Sequence, residues 1–195
     1  MRKVALLTLS VLFLSVSCKN TPKKEKEAVT EKEEPAPTGA KTETVEELTV
    51  QMDPKSDSEV KGMAIFKEEN GTVTMTATFE GLEPGEHAIH LHEKADCSSP
   101  DGKSTGGHWN PTFEKHGKWG DAEGYHKGDI GNFTADEEGK GAITFSTDEW
   151  CIDCDDDTKN IVGKGVIVHQ GADDFTSQPS GAAGARISCG GVILQ

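Results

Sequence analysis

The chain has 195 residues, with 34 acidic against 20 basic side chains and a formal charge of −14. An excess of that sign argues against nucleic acid as a partner, because phosphate binding needs clustered Lys and Arg. The length allows one ordinary domain with extensions.

Arg2 and Lys3 precede a short apolar run, Val4 to Val16, which ends at Ser17-Cys18. The run is too short to span a bilayer as a helix and reads as a signal-peptide core. Residues 1–18 are therefore expected to be a lipoprotein-type signal with Cys18 as the lipid acceptor. Ordinary cleavage nearby, leaving a soluble secreted protein, is the alternative. Either route exports the chain, to the periplasm or the cell envelope, where disulfides persist. Membrane contact is expected through the N-terminal lipid only. Residues 19–44 hold six Lys and six Glu among Thr, Pro and Ala, with no aromatic residue and no Leu, Ile or Met. Such a segment cannot bury enough apolar surface to offset its ordering entropy, and it reads as a disordered, charged tether. Its charges cancel, so the acidity belongs to residues 45–195, the expected folded domain.

That domain shows period-two alternation. Met63 to Phe66 leads into Asn70-Gly71, a hairpin turn signal. Val73, Met75, Ala77 and Phe79 then alternate with threonines, the pattern of a half-buried strand. Pro84-Gly85 marks the next turn, and Glu86 to Glu93 alternates again. Ala142 to Ser146, Gly163 to His169 and Ala185 to Leu194 supply further short strands. The class is all-β, with long Gly-rich connections between Cys97 and Gly128 and between Gly171 and Gly184. Connections of that length without structure of their own are usually functional.

All seven histidines fall in this domain. His90 and His92 lie at i and i+2 of a strand, so both imidazoles reach one side. The pair suits a metal, although an ordinary surface pair has the same spacing. His87 falls on the opposite face and reads as a structural, hydrogen-bonded histidine. His108, His116, His126 and Asp129 share a loop with little capacity to form a core. Three imidazoles and a carboxylate can close a tetrahedral zinc site that gives such a loop cohesion. His169 ends a strand of Val166, Ile167 and Val168 and could join His90 and His92 at a second metal.

The segments Gly85–Glu93, Gly107–Pro111, Lys115–Gly117, His126–Asn132, Val168–Asp174 and Gly181–Gly190 resemble, in order, the motifs of the copper–zinc superoxide dismutase family. Together they span nearly all of residues 45–195. The resemblance implies an eight-stranded Greek-key β-barrel of the sandwich type. It implies one copper per chain at His90, His92, His108 and His169, and one zinc at His108, His116, His126 and Asp129. His108 is then shared, with one ring nitrogen toward each metal. Asp173 is implied to hydrogen-bond a histidine of each site, and Arg186 to hold the anionic substrate. The implied reaction is disproportionation of superoxide to oxygen and hydrogen peroxide at a centre cycling between Cu(II) and Cu(I), with His108 both ligand and proton carrier. A copper-binding or copper-delivery lipoprotein of the same fold is the alternative.

An anionic substrate and an acidic chain are compatible, since the local field of the cleft steers, not the net charge. The segment Thr176–Ser180 lacks the lysine that many eukaryotic members carry. Lys103, Lys115, Lys118 and Lys127 are the candidates to replace it, and the sequence does not rank them. The resemblance also implies a Cys97–Cys189 disulfide. Cys151-Ile-Asp-Cys154 departs from the family pattern and admits a second disulfide, a redox-active pair or a soft-metal site. Its acidic surroundings and the oxidising compartment favour the disulfide. Whether the domain is a monomer or a homodimer is not legible in the sequence.

Overall fold

Asn70 and Gly71 both adopt positive φ, 53° and 75°, as a two-residue primed hairpin turn requires. They join β2 (Lys61–Glu69) to β3 (Thr72–Glu80), with Glu69 opposite Thr72. The structure, a computed structural model, describes residues 46–194. The expected signal segment, Cys18 and the tether lie outside the described residues.

Around this hairpin run β1 (Glu46–Pro54), β4 (Gly85–His92), β5 (Gly131–Ala135), β6 (Gly141–Thr147), β7 (Gly165–His169) and β8 (Arg186–Gly191). The strands pair antiparallel in the order β1-β2-β3-β6-β5-β4-β7-β8, and β1 meets β8 to close the barrel. Strands β4, β5 and β6 form a meander while β7 returns beside β4, which is the Greek-key arrangement. The eight-stranded all-β expectation therefore holds. Two strands escape the sequence reading. In β1, Leu48, Val50 and Met52 point inward between exposed polar residues, beside the charged tether. In β5 only Phe133 and Ala135 are apolar and buried, directly after the His-rich loop. Strand β7 begins at Gly165 and β8 ends at Gly191, both shorter than the apolar runs that announced them.

The core lies inside the barrel, from Phe66, Met75 and Ile89 to Leu91, Val166 and Val168. Its outer surface is uneven. Strand β3 alternates buried with partly or fully exposed residues, whereas the last six residues of β4 and all of β7 are buried on both faces. The long connections 93–130 and 170–185 cover that outer face. Backbone bonds fasten the first of them: Trp109 N–H donates to Leu91 O at 2.8 Å, and Leu91 N–H donates to Gly128 O at 2.9 Å. A disulfide between Cys97 and Cys189, 92 residues apart in sequence, ties it to β8. Cys151 and Cys154 form a second disulfide between β6 and β7, the first of the three readings of that motif.

Cross-linking a loop of about 90 residues removes roughly 4 kcal/mol of unfolded-state entropy. Cys97→Ser is thus expected to lower the unfolding free energy of the metal-free protein by about 2–5 kcal/mol in urea titrations. A loss below about 1 kcal/mol would show that the loop is held by its other contacts.

Candidate metal centre

Strand pairing assembles the first group of histidines. His90 and His92 project from β4, and β7 lies beside it with Ile167 opposite His90. A register shift after Val168 sets His169 across from Arg186 on β8. An isolated bridge sets His108 opposite His92. The imidazoles of His90, His92, His108 and His169 are all buried, and one ligand atom from each lies within 4.8 Å of the others. His108, His116, His126 and Asp129 form a second group that meets the same limit. His108 belongs to both.

A neutral imidazole has one donor and one acceptor nitrogen, so a bond at one fixes the role of the other. His92 Nδ1 donates to Gly106 O at 3.0 Å and His169 Nδ1 faces Gly184 O at 3.4 Å. Both then present Nε2 as a lone pair. Asp173 acts on two rings at once. Its Oδ2 accepts from His90 Nε2 at 2.8 Å and its Oδ1 from His116 Nε2 at 2.9 Å. Both then present Nδ1. Six buried ring nitrogens make no well-aligned hydrogen bond: Nδ1 of His90, His116 and His126, and Nε2 of His92, His108 and His169; of these only His116 and His126 Nδ1 face a polar atom, the Asp129 carboxylate. Buried polar atoms are rarely left so, and six in two converging groups fit cations that accept lone pairs. His87 differs in having a backbone carbonyl oxygen near each nitrogen, His169 O at 2.9 Å from Nδ1 and Glu83 O at 2.8 Å from Nε2, and, among the described residues, no other imidazole beside it that could share a cation. It is the structural histidine its strand face implies.

Asp129 completes the second group. Its carboxylate lies 2.8 Å from His108 Nδ1, 3.0 Å from His116 Nδ1 and 3.2 Å from His126 Nδ1. The His126 amide also donates to it at 2.8 Å. Asp173 is held in turn by Asn132, which exchanges two hydrogen bonds of 2.8 and 2.9 Å with its backbone. Gly181 must be glycine here, because a Cβ would stand 1.8 Å from Asp173 Oδ1 on a backbone with φ of 69°.

A cavity of about 290 Å³ opens onto the first group and is lined by His92, His108, His169, Arg186, Asp101 and Lys103, among others. Arg186 is anchored through Nη1, which donates to Gly102 O and Thr105 Oγ1, each at 3.0 Å. The rest of its guanidinium keeps its donors for an anion.

Burial pulls the pKa of His92 and His169 well below 6.5, with the neighbouring rings and Arg186 adding to the effect. Burial also lowers His108, to about 4, against the pull of Asp129. For His116 burial is outweighed by Asp129 and Asp173, which raise it to about 9. Burial would raise Asp129 and Asp173, but the hydrogen bonds from their histidines prevail and hold both well below the usual carboxylate range. At neutral pH His92, His108 and His169 are thus neutral and Asp129 and Asp173 anionic, the states a metal requires, whereas His116 holds a proton that a bound cation would displace. Below the ordinary histidine pKa the unfolded chain takes up more protons than the three depressed groups do, so their contribution is lost as the pH falls from 6.5 towards 4. His116 acts oppositely: its contribution is complete below 6.5 and is lost as the pH rises through 9. Below 6.5 His116 no longer changes and the three depressed groups decide, which makes acid the destabilising direction. The chelator-treated protein is expected to melt at a lower temperature at about pH 4.5 than at about pH 6.5. An equal or higher midpoint in acid would contradict this balance.

Residues 60–193 match the family model described as copper/zinc superoxide dismutase (SODC). The chain is 36% identical over 140 residues to "Superoxide dismutase [Cu-Zn] 2" of Aquifex aeolicus, covering 69% of this chain and 80% of that protein. Among solved structures it is similar to a double mutant of a SOD-like protein from Bacillus subtilis, with a TM-score of 0.67 and 32% identity. That match covers 75% of this chain and 97% of the other. It is also similar to the clock protein EA4, with a TM-score of 0.65 and 30% identity over 80% of this chain and 99% of that one. With the barrel and both histidine groups in place, the matched span and the identity show that the chain belongs to the copper/zinc superoxide dismutase family.

Proposed function

We propose that the protein disproportionates superoxide to oxygen and hydrogen peroxide. Copper would be held by His90, His92, His108 and His169, and zinc by His108, His116, His126 and Asp129. The observation that carries this reading is the pair of buried ligand groups sharing His108 beside an arginine-lined cavity: four ring nitrogens, Nδ1 of His90 and Nε2 of His92, His108 and His169, have no partner, and Nδ1 of His116 and His126 meet only the Asp129 carboxylate. Copper supplies reversible one-electron chemistry, and zinc supplies a fixed positive charge without redox chemistry of its own.

The chain's own residues do the rest. Arg186 receives the anion in the cavity, and its anchorage to Gly102 and Thr105 orients it before substrate arrives. His108 lines the same cavity, so its Nε2, when not engaged as a ligand, would take up a proton and pass it to the incoming species. Asp173 and the carbonyls of Gly106 and Gly184 hold the ligand rings in the required tautomers. Of the four lysines considered for steering, Lys103 lines the cavity, where it pairs with the exposed Asp101 at 2.9 Å. Lys118 does not line it, Lys115 faces Glu123 at 3.7 Å, and Lys127 is bound to Glu149. The complete ligand set next to a cationic cavity favours turnover over mere copper delivery. Export, lipid attachment at Cys18 and a tether over residues 19–44 complete the proposal, and they rest on the sequence pattern.

The copper- and zinc-loaded protein is expected to dismutate superoxide far faster than free copper, and His169→Ala to fall to near background. Turnover no better than free copper in the parent, at stoichiometric metal, would sink the enzyme reading. Arg186→Ala is expected to lower kcat/KM about 10- to 100-fold, the value of a charge-assisted hydrogen bond of about 1.5–3 kcal/mol. Lys103→Glu is expected to slow the reaction at low ionic strength, with the deficit shrinking as salt is added. A deficit independent of salt would remove Lys103 from steering.

A further inference from the structure

The connection from β6 to β7 lies outside both metal groups, yet it grips one of them. Glu149 sits just past β6 and accepts from Tyr125 Oη at 2.6 Å through Oε1, while Lys127 Nζ binds its Oε2. Tyr125 and Lys127 flank His126, so one carboxylate holds the residue on each side of that histidine. The next residue adds a third tie: Trp150 Nε1 donates to Lys127 O at 2.8 Å. This is not a solvated surface pair of the kind that contributes little, because the Lys127 and Glu149 side chains are only 17% and 31% exposed.

The grip has its own foothold. Trp150 is buried, with its ring 5.1 Å from Phe145 and 5.8 Å from Trp119. Cys151 exchanges backbone bonds with Lys159 and Ile161 at 2.9 and 3.1 Å, and Ile152 N–H donates to Glu68 at 2.6 Å. The Cys151–Cys154 disulfide closes this turn directly behind Glu149 and Trp150. The stretch that follows is acidic, with Asp153 and Asp155 to Asp157.

We propose that Glu149 is a positioning residue for the zinc ligand His126, and that the Cys151–Cys154 disulfide holds Glu149 in place. Displacing the His126 backbone, and with it the ring, from Asp129 requires Tyr125 and Lys127 to move as well, and the clamp resists that movement. The proposal rests on the zinc reading above. It assigns a task to the cysteine pair that the family pattern does not account for.

The test uses the full chain, with zinc affinity measured by competition with a chromophoric chelator and Co(II) absorption as the signature of ligand geometry. Glu149→Ala is expected to weaken zinc about 10- to 100-fold, as loss of a partner behind a metal ligand does. It should shift the Co(II) bands and leave Cu(II) affinity within about threefold. Glu149→Gln, which keeps an acceptor for Tyr125, should recover part of the loss. Zinc affinity within about twofold of the parent, with unchanged Co(II) bands, overturns the clamp. If Glu149→Ala does not fold, Glu149→Gln and Lys127→Met decide the same comparison. A parent that binds no zinc overturns the zinc reading itself, a result distinct from a parent that binds tightly and a variant that matches it. Replacing both Cys151 and Cys154 by Ser should weaken zinc in the same direction, and adding Glu149→Ala should then cost less than it does alone. Full additivity would overturn the role of the disulfide.

Discussion

Asp173 shares its two oxygens between His90 and His116, at 2.8 and 2.9 Å, and much of the site depends on that sharing. A buried carboxylate is stable only when its lone pairs are used. Here both are used by rings on different segments, one on a barrel strand and one on a loop. The bond that satisfies the carboxylate also fixes where each ring carries its proton, and so which nitrogen it offers. One group thereby decides ligand orientation in both clusters. Its own backbone is fixed by Asn132 at the start of β5, and Gly181 leaves the room it needs.

The barrel supplies rigidity where the loops cannot. Strands β4 and β7 are neighbours in the sheet and buried on both faces, so His90, His92 and His169 stand on a surface with little freedom. The loop residues reach the same place by cross-links: backbone bonds to Leu91, the Cys97–Cys189 disulfide and the contacts of Asp129. Gln178 adds another, pairing with both the N–H and the C=O of His116 at 3.0 and 2.8 Å. A site built from two strands and two loops thus behaves as one unit. Bound cations would be the final cross-links, since four ring nitrogens are otherwise buried without compensation and two more meet only the Asp129 carboxylate.

Charge shows the same separation of local from global. The chain is strongly acidic, yet the cavity beside the first histidine group carries Arg186 and Lys103 against the single carboxylate of Asp101. A recessed cleft with low-dielectric walls concentrates its own field. The acidic residues elsewhere lie mainly on exposed turns and strand ends, where solvent and salt screen them.

Much of this was legible in the sequence. Alternation disclosed β3 and β4, and Asn70-Gly71 disclosed a turn that the backbone realises with two positive φ angles. The i, i+2 spacing of His90 and His92 placed both rings on one side, because a strand repeats every two residues. Strand β5 was illegible because only two of its residues face the core, and β1 because its alternation merges into a charged segment. The sequence by itself determined which side chains could bind metal, since residue type and local period are properties of the chain. The tertiary structure alone decided which nitrogen each ring offers, which lysine meets the cavity and that Glu149 lies behind His126. Those depend on contacts between residues that are distant in sequence, and only closure of the barrel brings them within hydrogen-bonding distance.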